Sequence, residues 1–305
     1  MIDHEKGGHA LFPPEVIVEI KALACELPRE LGLPFSRLSS SDIAREAIRR
    51  GIVTSISSAT VWRWLHNDAI KPWSYHSWIF PRDPHFTVKA SRVLELYQGF
   101  WDGKPLGPKD FVISADEKTS IQARNRSHAL AVSPHHPQRY EFEYERGGAL
   151  AYIAAWDVHN ANIFGLCRQS TGIESFHLLV DLVMGQEPYL SAERVFWITD
   201  NGSSHRGDSS VQRLSKWHSN ALLVHTPVHA SWLNQIEIYF SIVQRKVLTP
   251  NNFPNLLTLE KQLLDFQLFY NSIAKPYKWK FTKDNLHQIL KKTDLYSCHD
   301  NHAAA

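Results

Sequence analysis

The chain has 305 residues, 43% hydrophobic and 21% charged, with a formal net charge of +2, the balance of a globular protein with one large or two moderate domains. It has no run of eighteen or more apolar residues, and Asp3, Glu5, Glu15 and Glu19 interrupt its beginning, which argues against a membrane-spanning helix and against a secretion signal. Cys25, Cys167 and Cys298 are few and far apart, so a reducing, cytoplasmic setting is expected, with neither a disulfide framework nor a structural zinc site.

Charge is unevenly spread along the chain. Residues 35–126 and 238–293 are basic, and residues 139–237 between them are acidic. A metal-binding centre flanked by surfaces that hold a polyanion would give this pattern, and so would chance clustering on solvated faces.

In chain order, the first part reads as helical. Pro13 and Pro14 open an apolar-periodic run through Val16, Ile20, Leu23 and Leu27 that stops at Pro28. Ser41-Asp42 starts a second helix, with Ile43, Ala44, Ala47 and Ile48 inward and Gly51 as its stop. Ser57-Ser58 starts a third, reaching about Asn67, with Val61, Trp64 and Leu65 on one face and Thr60, Arg63 and His66 on the other. Three short helices with a Gly-containing turn before the last describe a helix-turn-helix unit over 1–72, whose third helix would present Ser57, Thr60 and Arg63 to DNA. A plain three-helix bundle that binds nothing fits the same pattern.

Residues 73–108 read as a linker with Trp73, Trp78, Ile79, Pro81, Arg82, Asp83 and Pro84 in an extended stretch, a short helix near Val88–Tyr97, and a boundary at Gly103, Pro105, Gly107 and Pro108. Strand patterns follow over 109–290. Phe111-Val-Ile leads to Asp116, Ala149–Trp156 and Ile163–Cys167 are two more strands, and a helix spans about Ile173–Met184. Val195-Phe-Trp-Ile, apolar throughout like a strand buried on both faces, leads to Asp200, and Leu222–Val224 is a fifth strand. The order predicts an α/β domain with a mixed sheet flanked by helices, behind an all-α N-terminal domain, with a tail over 291–305.

Asp116 and Asp200 each follow an apolar strand, at the sheet edge where α/β proteins bind ligands. Neighbouring strands lie ~5 Å apart, so two such acids can share metal ions. The third acid comes from His229-Ala-Ser-Trp-Leu-Asn-Gln-Ile-Glu237. Ser231 is expected to cap a helix on which Asn234 and Glu237 lie one turn apart. Alternatively, Glu237 pairs with Arg245 or Lys246 on a solvated face. Three converging carboxylates suit Mg²⁺ or Mn²⁺ rather than zinc, and two such ions ~3.5–4 Å apart can carry in-line phosphoryl transfer.

The blocks Ser114-Ala-Asp-Glu-Lys-Thr-Ser-Ile-Gln-Ala-Arg124, Ile198-Thr-Asp-Asn-Gly202 and His229 to Glu237 closely resemble those of the bacterial insertion sequence 630 transposases, relatives of the eukaryotic mariner elements. Pro227, the run Tyr270 to Pro276 with Trp279, and Val61-Trp-Arg-Trp-Leu65 with Lys71-Pro-Trp73 are similar to that family too, so the resemblance covers roughly residues 15–285. It implies a ribonuclease H-like fold and a catalytic, metal-binding triad of Asp116, Asp200 and Glu237, with Asn234 in support. It further implies a pair of Mg²⁺ or Mn²⁺ ions, cleavage at the ends of a mobile element in double-stranded DNA, joining to target DNA at TA, a homodimeric active complex, and a place at the bacterial nucleoid. Members commonly carry two helix-turn-helix units; the single one identified here suggests a truncated copy, a split reading frame or a late start.

Other candidates for DNA contact are Arg124, His229, Arg245, Lys246 and Lys275, the last within a cationic stretch with Lys278, Lys280 and Lys283. His135 and His136 are expected to bind no metal, and Asp157 is expected to make a turn with His159 and Asn160. A different class of function stays open: an inactive element remnant that only binds DNA. A ribonuclease or a repair or junction nuclease on the same fold would lack the N-terminal unit and the Trp-Leu-Asn-Gln-Ile-Glu block.

Overall fold

The computed structural model describes residues 12–74, 83–202 and 207–300, with side chains as far as residue 291. The expected connector residues Trp78, Ile79, Pro81 and Arg82, and the end of the tail from 301 on, lie outside the described residues. The chain divides into two compact units, Met1–Ile79 and Phe80–Ala305.

The first unit contains helices α1 (Pro14–Cys25), α2 (Ser40–Arg49) and α3 (Ser58–Asn67). Ile20, Leu23, Leu38, Ile43, Ala47, Val61 and Leu65 form its core. The 3.6-residue spacing of these apolar positions is what makes each helix bury one stripe. Ser39 caps α2, two residues earlier than the sequence suggested, because Asp42 returns the bond in a reciprocal capping box. Ser57 caps α3 as expected. Gly51 follows α2 at φ +72°, a conformation that favours glycine. The connection from α2 to α3 spans residues 50–57, longer than the turn of roughly 3–4 residues usual in helix-turn-helix pairs.

The second unit begins with α4 (Phe86–Tyr97). The sequence placed this helix in a linker ending at 108. It belongs instead to the second unit because it buries Phe86, Ala90, Val93, Leu94 and Leu96. Then come strands β1 (Asp110–Asn125), β2 (Glu145–Asp157) and β3 (Asn162–Arg168), helix α5 (Ile173–Met184), β4 (Arg194–Thr199), α6 (Asp208–Trp217) and β5 (Ala221–His225). Helices α7 (Ile236–Lys246), α8 (Leu256–Ile273) and α9 (Lys283–Asp300) complete the unit. The helix α9 occupies most of the span expected to be tail. A short hairpin of Ala129–Leu130 and Arg139–Tyr140 between β1 and β2 was not anticipated.

The sheet order is β3-β2-β1-β4-β5. Strands β1 to β3 are antiparallel neighbours, and β4 and β5 run parallel to β1. Side-chain alternation sorts the two faces. Odd-numbered Ile113, Ala115, Ile153, Ala155, Val195 and Trp197 pack against Phe176, Leu179 and Val183 of α5 and Leu214 of α6. On the even-numbered face, the Tyr152 ring meets Tyr239 and Phe240 of α7, and Trp156 meets Tyr270 of α8. The mixed sheet flanked by helices is the architecture the sequence predicted.

Candidate active site

Parity and register bring the two aspartates together. Asp116 and Asp200 both belong to the even-numbered face, the face that α7 covers. β1 pairs in parallel with β4 as far as Ser114 opposite Ile198, and the same register continued by two steps would bring Asp116 to the level of Asp200. Adjacent strands stand ~5 Å apart.

Asp200 follows directly on β4, as expected. Asp116 does not end its strand: β1 continues to Asn125, with Asp116 paired to Ala154 of β2. It is the pairing with β4 that ends just before Asp116, so on that side the carboxylate stands at an open sheet margin. Its Oδ1 accepts a hydrogen bond from the Glu117 backbone N–H at 2.8 Å. The Asp200 Oδ1 accepts from the Gly202 N–H at 2.7 Å, which fixes the turn after β4.

The third acid arrives differently from the expected single capped helix. Ser231–Leu233 form one turn of 3-10 helix, Asn234 is extended, and α7 starts only at Ile236. Ser231 therefore does not cap α7, and Asn234 is not on Glu237's helix. The cause is a set of buried bonds to β1. The Ser114 hydroxyl donates to Asn234 Oδ1, Asn234 Nδ2 donates to the Ala115 carbonyl at 2.9 Å, and the Ile236 N–H donates to Ser114 Oγ at 2.9 Å. The buried Tyr97 hydroxyl adds a second tie, donating to the Leu233 carbonyl at 2.7 Å and accepting from the Gln235 N–H at 3.2 Å. Glu237 is thus held in the first turn of α7, where the helix dipole favours a carboxylate.

The three acids feel one another's charge. Burial first, then the negative charge of Asp200, push the Asp116 carboxyl up to about 7, with smaller contributions from Glu117 and Glu237. Burial also raises Glu237, with the Lys118 ammonium opposing and Asp200 adding. Arg245 and Lys246, the alternative partners for Glu237, lie exposed in the last turn of α7, and Lys118 of β1 is the cation that Glu237 senses. Among the described residues no three acidic, histidine or cysteine side chains close into a ligand cage. An all-oxygen set of carboxylates suits the chemistry of a hard divalent cation.

Other expected residues fall around this centre. His229, at φ +62°, lines a recess of about 500 Å³ beside Asp200, with Asn201, Thr226 and Val228. Arg124 lies farther along β1, half-buried, and Lys275 is exposed after α8. In the first unit, Ser57, Thr60 and Arg63 bond one another: Thr60 Oγ1 is 2.9 Å from Ser57 Oγ and accepts from Arg63 at 3.2 Å. Ser57 is thereby committed to its cap. Asp157 is fully buried and accepts from the His159 and Asn160 N–H groups and the Tyr189 hydroxyl, a turn anchor as expected. His135 and His136 are exposed near the hairpin. Ser114 and Tyr97 were not singled out from sequence, since nothing local marks a hydroxyl whose partner lies more than a hundred residues away.

Residues 112–260, which include all three acids, match the family model described as DDE superfamily endonuclease. A comparison with curated protein sequences returns no match. Among solved structures, the chain is similar to the Mos1 transposase paired-end complex with left transposon end, at TM-score 0.56 and 15% identity over 96% of this chain and 81% of that one. It is also similar to the Mos1 Strand Transfer Complex, at 0.55 and 14% over 96% and 79%. The Mos1 mariner paired end complex with Mn gives 0.54 and 14% over 96% and 80%. These likenesses show the fold, which is ribonuclease H-like.

Proposed function

We propose that the chain is a DNA transposase that cuts at the ends of a mobile element and joins the freed strand to target DNA, with Asp116, Asp200 and Glu237 as its catalytic, metal-holding acids. The observation that supports this reading is the parallel pairing of β1 with β4, which runs to Ser114 opposite Ile198, two residues short of each aspartate, with Asp116 and Glu237 both within electrostatic reach of Asp200. The endonuclease match over this segment and the transposase structures of similar fold support it. One neighbour is described as a complex with Mn and another as a complex with Mg, and we extend that metal use to this chain.

Two Mg²⁺ or Mn²⁺ ions held by these acids would activate the attacking water or 3′-hydroxyl and stabilise the leaving oxygen. The chain's own residues supply the positioning. Ser114, Asn234 and Tyr97 fix the start of α7, so Glu237 faces the two strand acids from a set direction. His229 lies where a phosphate near Asp200 would pass. Helices α2 and α3 of the first unit are assigned to duplex recognition, with Thr60 and Arg63 on the exposed side of α3 and Arg245, Lys246 and Lys275 as further backbone contacts. The active form is a homodimer, one copy for each element end.

The test is strand cleavage of a duplex containing the DNA that flanks the chain's own gene, with Mg²⁺ or Mn²⁺. Asp116→Asn, Asp200→Asn and Glu237→Gln should each reduce cutting by at least ~100-fold, the scale of losing a catalytic electrostatic contact, while duplex binding persists. A wild-type chain that binds the duplex and never cuts it would instead be the DNA-binding remnant.

A further inference from the structure

A second recess lies on the same face of β1, beyond Lys118. Its volume is about 480 Å³, and it runs between the far half of β1 and the segment that follows α7, with Gln244 and Asn251 on the opposite wall. Lys118, Arg124 and Arg126 line it, and no acidic residue does. Among the described residues none of the three has a carboxylate at ion-pair distance, though Arg126 donates to the Glu141 and Asn251 carbonyls, which leaves Lys118 and Arg124 as the cations open to the recess. The Arg124 Nε is buried without a hydrogen-bond partner, and its guanidinium lies over the Tyr144 ring at 4.7 Å. Arg126 lies over the same ring at 5.3 Å.

Backbone irregularity shapes this recess. The β1–β2 register shifts between Lys118 and Ile121 and again between Gln122 and Arg124, and Ser120 takes φ +57°. Bulges of this kind re-aim side chains, often next to active sites. Here they keep Lys118, Gln122, Arg124 and Arg126 lining one recess although the pairing slips twice. The cations begin at Lys118, two residues beyond Asp116 on β1, so they lead away from it along the strand.

We propose that this recess is a subsite for one single strand of DNA leaving the catalytic acids, held through its phosphates without regard to sequence. The proposal rests on the reading of the chain as a DNA-cutting enzyme and adds the state of the strand and the residues that hold it. The volume favours a single strand. It is that of a small-ligand pocket, enough for about a nucleotide at a time, whereas a duplex can only rest against its rim. Cationic grooves that track the backbone are a usual means of gripping single strands.

The test measures binding alone, in the Asp200→Asn chain without divalent metal, so that cleavage does not enter. Probes are a blunt duplex and the same duplex with a short single-stranded overhang, in two unrelated overhang sequences. The overhang should tighten binding equally for both sequences. Lys118→Gln with Arg124→Gln should abolish that gain and flatten the dependence of log affinity on log salt by about 0.7 for each lost phosphate contact. Lys118→Arg should retain the gain. If the double variant does not fold, Lys118→Gln alone decides, since its ammonium makes no hydrogen bond in the described structure. Equal affinity for blunt and overhang probes, or an overhang gain that survives the substitutions, would overturn the proposal. A chain that cuts DNA but shows no overhang gain refutes only the subsite, and one that grips the overhang but never cuts refutes only the enzyme.

Discussion

Asp116 carries the clearest consequence of the geometry. Its folded-state pKa of about 7 lies above the ordinary 3.8, so ionisation is disfavoured by folding. The resulting penalty is fully present above pH 7 and vanishes below the unfolded value. Asp116→Asn should therefore raise the melting temperature at pH 8 without divalent metal by several degrees, about 1–3 kcal/mol, and change it little near pH 3.5. Thermal melts of both proteins across that range check the sign; a variant less stable than wild type at pH 8 would count against an uncompensated charge cluster. Glu46 shows the opposite sign in the first unit. Arg49, and then Arg50 against the cost of burial, hold it at about 2. Its contribution is complete above the unfolded value near 4.5 and is lost as pH falls toward 2. Glu46→Gln should lower stability at pH 7 by roughly 1–3 kcal/mol, with the difference shrinking in acid.

At the scale of elements, the link between β1 and α7 is the testable feature. Ser114→Ala would leave Asn234 Oδ1 and the Ile236 N–H without partners in a buried place, at about 1–3 kcal/mol each. It should also slow cleavage more than it weakens DNA binding, because Glu237 loses its set direction; melts and single-turnover cleavage measure the two effects. Gly165 of β3 makes a second prediction. A Cβ there would come within 2.7 Å of the Tyr152 ring and 2.8 Å of Gln267 on α8. Gly165→Ala should thus cost about 1–3 kcal/mol by overpacking, read from the denaturation midpoint. The apolar runs of β1, β4 and β5 and the helix Ile173–Met184 were legible because burial on a face writes a local period into the sequence. Three features were not. Asp116 seemed to end a strand because the apolar run ends there, yet β1 continues on its pairing with β2. Ser231 looked like a cap because Ser before an apolar stripe usually is one, but Asn234 is drawn into bonds with Ser114 and Ala115. The basic recess depends on register shifts that no local pattern announces.

For the molecule as a whole, the charge blocks read from the sequence do not coincide with the two units: the basic block 35–126 runs from the first unit into the second and includes Asp116. Asp116 and Glu237 both lie within electrostatic reach of Asp200, and Lys118 and Arg124 continue along β1. The linker expected over 73–108 shrank because α4 contributes Tyr97 to the tie that holds α7, a role invisible to composition. Among the described residues no helix is long and apolar enough to cross a membrane. Metal affinity follows from the same charge pattern. A divalent cation that neutralises the cluster should stabilise the chain with the logarithm of its concentration above its dissociation constant, and its affinity should rise with pH through about 7 as Asp116 loses its proton.

The most direct measurement is Mn²⁺ binding followed by the paramagnetic signal of the free ion at pH 8. Saturable uptake of about one or two ions per chain, weakened at least ~10-fold by Asp116→Asn, Asp200→Asn or Glu237→Gln, each of which removes one ligand, is the outcome expected of three acids sharing one site. Uptake unchanged in a chain lacking all three carboxylates would contradict it.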